Sequence, residues 1–209
     1  MELNKGKRKR KQAKEIRALP MKLEIRTNES EEGARTITGA IKYDTDSAEM
    51  RDWYGDAFVE QIASGAFSES LKQRDVVGLW SHDTSQVLGN TKSGTLRVSD
   101  GDKELRFELD IPNTTIGNDA WELIQRGDVD GVSFGMMVTK DKWSAEQRDD
   151  KKIYKRLILN AELYEISPVA FPAYPTNEVS ARSLEDFKAS EQRAADQYEK
   201  EKMLLELEL

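Results

Sequence analysis

Three residues whose types could share one reaction stand well apart in this chain: His82, Ser133 and Glu165. A serine hydroxyl is a poor nucleophile until a neighbouring base takes its proton. The chain holds a single histidine, so His82 is the one imidazole available for that task near neutral pH. A carboxylate on the other ring nitrogen would hold the tautomer and stabilise the protonated ring, as the acid of a triad does. The chemistry these types support together is acyl transfer. The lone histidine also closes other routes. A three-histidine metal site and the His-Glu-x-x-His zinc helix are both impossible. There is no cysteine, which removes disulfides, zinc ribbons and thiol catalysis. No metal or organic cofactor is expected.

Each candidate has a structural alternative. His82 ends the segment Val76-Val77-Gly78-Leu79-Trp80-Ser81-His82. Strand periodicity places it on the face of Val76, Gly78 and Trp80, where it could equally be a packed histidine with satisfied hydrogen bonds. Ser133 lies in Gly131-Val132-Ser133-Phe134-Gly135, which fits the G-x-S-x-G elbow of α/β-hydrolases. That fold places its histidine after serine and acid. Here His82 precedes Ser133, and no regular βαβ rhythm surrounds either, so the elbow reading fails. In the strand pattern of residues 131–139, Ser133, Gly135 and Met137 share a face opposite Val132, Phe134 and Met136. Small Gly135 would leave room there for a substrate backbone. Ser81, Ser85 and Ser167 remain alternatives to Ser133 on this reasoning. Glu165 continues the alternating row Leu157, Leu159, Ala161 and Leu163. A carboxylate in such a row is costly unless paired, and His82 is the pairing that would be useful. The alternative is that the strand has left the core by Glu165. Glu162 and Asp83 are rival acids.

The elements that must position these residues are mostly strands. Period-two alternation runs through Leu23 and Ile25, through Ile37, Gly39 and Ile41, and through Leu105, Phe107, Leu109 and Ile111 after an Asp100-Gly101 turn signal. Helical character is predicted for 57–63, 67–73 and 117–125. The last has Asn118 or Asp119 as N-cap and Gly127 as stop. Residues 141–152 are charged and break the periodicity, which predicts an exposed loop. Strand character resumes over 153–166 before three prolines at Pro168, Pro172 and Pro175. The sequence thus predicts an α+β, β-rich domain over residues 21–182. A flexible basic arm precedes it over 1–20, and a charged helical tail follows over 183–209.

Charge limits the partners. From Met1 to Arg17 there are eight Lys or Arg against two Glu, yet the whole chain is −7. An acidic body argues against general nucleic-acid binding, so nucleic acid is expected at most weakly, through the arm. No apolar run approaches the roughly 20 residues that span a bilayer. No signal-peptide pattern follows the basic start. A soluble intracellular protein without stable membrane association is expected.

Four segments in order resemble the prohead proteases of tailed phages. Glu60-Gln61-Ile62-Ala63-Ser64-Gly65-Ala66-Phe67 is similar to that family's helix entry, with Ser64 where proline is usual. Val77-Gly78-Leu79-Trp80-Ser81-His82-Asp83 resembles its histidine segment, and Gly131 to Gly135 its serine segment. Leu163-Tyr164-Glu165-Ile166-Ser167-Pro168-Val169-Ala170-Phe171-Pro172-Ala173-Tyr174-Pro175 resembles its final strand and turn. The resemblance spans about Leu23 to Ser180.

It implies a fold related to the herpesvirus assembly proteases, a closed or nearly closed β-barrel ringed by a few helices. Those enzymes use a serine and two histidines; Glu165 holds the second histidine's position here, which suits Ser-His-Glu. The resemblance further implies action inside the procapsid in the host cytoplasm, on scaffold or the scaffolding segment of the major capsid protein. Self-cleavage and a homodimer or higher oligomer are also implied. Backbone N–H groups near Pro172–Pro175 or a nearby loop are the expected oxyanion donors. Two other classes compete. A non-catalytic assembly protein would suit the charged extensions, and a small-ester hydrolase would use the same serine.

Overall fold

The computed structural model describes residues 14–19, 23–27, 35–52, 54–148, 151–171 and 178–207. Its centre is a long antiparallel hairpin. Strand β10 (Gly131–Arg148) pairs along its length with β11 (Lys151–Val169). The charged stretch predicted as a loop is the outer half of this hairpin. Most of its described polar residues are wholly or partly exposed, while Asp141 pairs inward with Arg156, and Trp143 and Tyr154 are buried with Phe58 and Leu184. Charge broke the sequence pattern there because most of that ribbon is wet.

Three further strands lie against this hairpin. β1 (Glu15–Leu19) pairs antiparallel with β10 on one side. On the other side, β5 (Ala57–Ile62) and then β6 (Val77–Trp80) pair in parallel with successive stretches of β11. The short helix α1 (Ser68–Gln73) lies between β5 and β6 in the chain. The edges of this sheet are completed by β4 (Met50–Arg51) on β5 and β7 (Asp83–Asn90) on β6. Residues 57–63 were expected to be helical. They form β5 instead, because Phe58, Val59 and Ile62 bury on both faces against distant strands, which local pattern does not reveal.

A second sheet has the order β2 (Glu24–Thr27), β3 (Arg35–Lys42), β9 (Glu104–Asp110) and β8 (Leu96–Asp100). Its alternation is the one read from sequence: Ile37, Ile41, Leu105, Phe107 and Leu109 are all buried. Gly39 faces Phe107 across the ladder, and a Cβ there would strike the ring. These side chains share one core with Val132, Phe134, Met136, Ile158, Ala161, Leu163 and Ile166 of the first sheet. Helix α2 (Thr115–Gln125) adds Ala120, Trp121 and Ile124 to it. Thr114, rather than Asn118 or Asp119, caps α2 by accepting the Gly117 N–H at 3.2 Å. The fold is therefore β-rich α+β. The ladders among the described residues form two sheets, of seven and four strands, and no closed barrel is found among them.

Helix α3 (Glu178–Leu207) ends the described chain. Leu184 is buried beside Trp143 and Tyr154, and Phe187 packs on the same cluster. No described helix is long and apolar enough to cross a membrane.

Candidate active site

The site begins with a bulge. In the β10–β11 ladder Gly135 pairs with Glu165, but the next pair is Met136 with Leu163. One extra residue on β11, Tyr164, shifts the alternation there. Leu163 consequently faces the core while Glu165 turns to the opposite face, with Gly135. Ser133 pairs with Ser167 on that same face. The apolar row read from sequence is not one face: Ile158, rather than Leu157 or Leu159, joins Ala161 and Leu163 in the core across a further irregularity near Lys140, and Glu165 leaves that face. The bulge removes the conflict of a carboxylate among leucines and delivers it beside the serine strand.

His82 reaches the same face from a turn. Trp80 pairs with Asp83, so Ser81 and His82 are the two central residues of the β6–β7 hairpin. Both lie in the left-handed region, at φ 51° and 65°. That is the geometry of a type I′ turn, which normally favours Asn-Gly. Without glycine it costs roughly 1–2 kcal/mol per residue, so something must hold it. The Ser81 N–H donates to the Pro168 carbonyl at 3.2 Å, and the His82 N–H to the Ser167 hydroxyl at 3.2 Å. His82 therefore belongs to the turn, not to the strand face its spacing suggested.

The imidazole Nδ1 lies 2.8 Å from Glu165 Oε1. His82 retains 20% side-chain exposure while Glu165 has 2%. The other carboxylate oxygen accepts from the Ser167 hydroxyl at 2.7 Å. Lys14 Nζ stands 3.4 Å from Oε1, on a partly exposed side chain just before β1. Burial alone would push the Glu165 carboxyl up. The hydrogen bonds from His82 and Ser167, with the electrostatic pull of the imidazole and of the Lys14 ammonium, more than offset it and hold the group below its ordinary value. Gly135 is explained by this arrangement: a Cβ there would collide with the Glu165 carboxylate and the Lys14 stem. The space beside Ser133 holds the acid rather than lying open for substrate.

The rival acids are engaged elsewhere. Glu162 accepts from Arg74 at 2.8 Å and from the Tyr164 hydroxyl at 2.7 Å. Asp83 accepts from Ser85 and Gln86. A cleft of about 270 Å³ between α1 and the hairpin includes Glu162 but none of Ser133, His82 and Glu165.

Ser133 is 1% exposed, and its hydroxyl donates to the Arg17 carbonyl of β1 at 2.9 Å. The structure thus joins His82 directly to Glu165 and places Ser133 one strand away, with its proton turned to β1. Sequence reasoning missed β1 altogether. Residues 15–19 fell inside the expected arm, yet Glu15 and Arg17 are buried with Glu60 and Arg156. No local signal marked this strand, because its buried positions, Glu15 and Arg17, are the charged ones. Residues 172–177, where oxyanion donors were expected, lie outside the described residues.

A model of the caudovirus prohead serine protease family matches residues 21–190. The chain belongs to this family. No curated protein and no solved structure matches the chain. Membership in the caudovirus prohead serine protease family makes a serine peptidase of capsid maturation the framework for the geometry above. The match takes in His82, Ser133 and Glu165, and leaves out β1 and most of α3. Among the described residues no group of three or more Asp, Glu or His is placed to hold a metal ion.

Proposed function

We propose that the chain is a serine endopeptidase with Ser133 as nucleophile, His82 as general base and Glu165 as orienting acid. The observation that carries this is the 2.8 Å contact between His82 Nδ1 and Glu165, on the sheet face that also holds Ser133. With Nδ1–H donated to the carboxylate, Nε2 is left with a lone pair for the serine proton.

The reaction needs one local movement. The Ser133 hydroxyl must leave the Arg17 carbonyl and turn towards Nε2. Its proton then passes to His82 as the oxygen attacks a peptide carbonyl. The imidazolium that results is stabilised by Glu165 and returns the proton to the leaving amine, and water repeats the cycle on the acyl-enzyme. Base assistance of this kind contributes ~10²–10⁴-fold. The near-complete burial of Ser133 means that its surroundings must open before a peptide can reach it.

The substrates proposed are the scaffold, or the scaffolding segment of the major capsid protein, and the chain itself. The setting is the procapsid interior in the host cytoplasm, with the chain self-associated. Its basic arm serves packaging or weak nucleic-acid contact. The test at the site is a fluorophosphonate probe, which phosphonylates an activated serine. The label is expected on Ser133 and absent in His82→Ala. A label that persists unchanged in Ser133→Ala would overturn the assignment.

A further inference from the structure

Ser167 has no role in the scheme above, yet it touches both the acid and the base. It is fully buried on β11, directly across the ladder from Ser133. Its Oγ lies 2.7 Å from Glu165 Oε2 and 3.2 Å from the His82 backbone nitrogen. The direction of each bond is fixed by chemistry. A carboxylate can only accept, so the Ser167 proton goes to Glu165; a backbone N–H can only donate, so His82 uses an Oγ lone pair. One hydroxyl thereby occupies the carboxylate oxygen that His82 leaves free and anchors the residue that carries the imidazole.

We infer that Ser167 is a positioning residue for catalysis, an inference that rests on the proposed Ser133–His82–Glu165 reading. Two degrees of freedom need fixing in this site. Glu165 can rotate about its side chain; Lys14 is near Oε1 on a partly exposed side chain, and Ser167 is the buried partner on Oε2 that fixes the carboxylate plane with Oε1 against the imidazole. The Ser81–His82 turn has two non-glycine residues at positive φ, a geometry that persists only where the surroundings over-determine it. Ser167 Oγ supplies one of the two β11 acceptors for that turn; the Pro168 carbonyl supplies the other. An alanine at 167 removes both constraints at once and leaves a buried carboxylate oxygen without its donor. The imidazole then loses the fixed orientation that its Glu165 contact and its anchored backbone give it. Ser167 already bridges Glu165 and the His82 backbone, so the position of the label is what separates it from Ser133 as nucleophile.

Outer partners that orient a histidine are worth about 10–100-fold in function where they have been removed. The readout is the reaction of the full chain with a fluorophosphonate probe, resolved into probe affinity and maximal rate, with the label mapped by peptide mass. Ser167→Ala is expected to keep the label on Ser133, keep the affinity, and lower the maximal rate about 10–100-fold. Ser167→Thr, which retains the hydroxyl, is expected to recover most of the rate. Ser167→Cys, with a weaker donor, falls between the two.

Wild-type rates in both Ser167→Ala and Ser167→Cys would overturn the positioning role and leave the Ser133 assignment standing. So would a Ser167→Thr protein that melts like wild type but reacts as slowly as Ser167→Ala. A label found on Ser167 in the wild type would overturn both. If Ser167→Ala fails to fold, the Thr and Cys variants decide the matter by the same order of rates.

Discussion

At the scale of single residues, the site depends on where one carboxylate points. Glu165 lies in the sequence as the next member of an apolar row, and the bulge at Tyr164 is what turns it out of that row. His82, Ser133 and Glu165 were legible as candidate types because the chain offers one imidazole and few acids near a strand end. Their relative placement was not legible. A bulge and a glycine-free type I′ turn each break the period-two rule on which face assignments rest. Gly135 makes the point testable. Gly135→Ala is expected to displace the Glu165 carboxylate, so peptidase activity should fall at least 10-fold while the melting temperature moves by only a few degrees. An unchanged rate would mean that Glu165 has room to spare. Glu165→Gln retains shape but loses the charge and the acceptor that hold the tautomer. In a Ser-His-Asp triad the equivalent change costs about 10⁴ in kcat, and a loss of 10³–10⁴-fold is expected here by kcat measurement on a cleaved peptide. A loss below 10-fold would remove Glu165 from the triad.

At the scale of elements, β1 is anchored by charge. Glu15 and Arg17 face the same side as Met136 and Phe134 and meet Glu60 and Arg156. Arg156 also binds Asp141 at 2.8 Å. From sequence these residues read as part of a solvated basic arm, because their partners stand 43 to 141 residues away. No local pattern reports such pairing. Removing one member of a buried ion network costs roughly 3–5 kcal/mol, so Arg156→Met should lower the urea midpoint clearly, and a shift within error would contradict the network's role. The same network has a pH signature. Burial would raise the Glu60 carboxyl, but Arg17 and Arg156 reverse this and hold it at about 2. The folded state then binds the proton more weakly than the unfolded chain, so protonation favours unfolding. Stability from Glu60 is complete above pH 4.5, its ordinary value, and is lost as pH falls towards 2. Urea titrations across that window should show a steeper loss for wild type than for Glu60→Gln. Parallel losses would assign the acid sensitivity elsewhere. Because the Arg17 carbonyl accepts the Ser133 hydroxyl, loosening β1 bears directly on the nucleophile.

For the whole molecule, the family match and the described fold have different limits. The match begins after β1 and ends inside α3, at residue 190. The first turns of α3 belong to the body: Trp143 Nε1 donates to the Ser183 hydroxyl at 2.8 Å, and Leu184 is fully buried. The sequence placed 183 at the start of a tail because the apolar positions beyond it are sparse. Two of them, Leu184 and Phe187, suffice to dock the helix on Trp143 and Tyr154. Beyond Gln192 the described side chains are exposed through Leu204. Ending the chain after 190 should leave the melting temperature within a few degrees of the full chain. Ending it after 182 should uncover the Phe58–Trp143–Tyr154 cluster and lower it by 10 °C or so, since burying two large apolar side chains is worth about 1.5–3 kcal/mol each. Equal stability of both truncations would contradict the docked helix. The β-rich α+β class and the inward faces of β3 and β9 were readable from alternation, as Ile37, Ile41, Leu105, Phe107 and Leu109 demonstrate; β8 and the pairing of these strands into one sheet were not. The parallel pairing of β5 and β6 along β11 was not, because it joins segments almost 100 residues apart.

The most direct test of the central claim is co-expression of the chain with the major capsid protein of its own phage, wild type against Ser133→Ala, with intact masses read by mass spectrometry. The account predicts a shortened capsid protein that disappears in the variant. Identical shortening with both chains would remove Ser133 as the nucleophile.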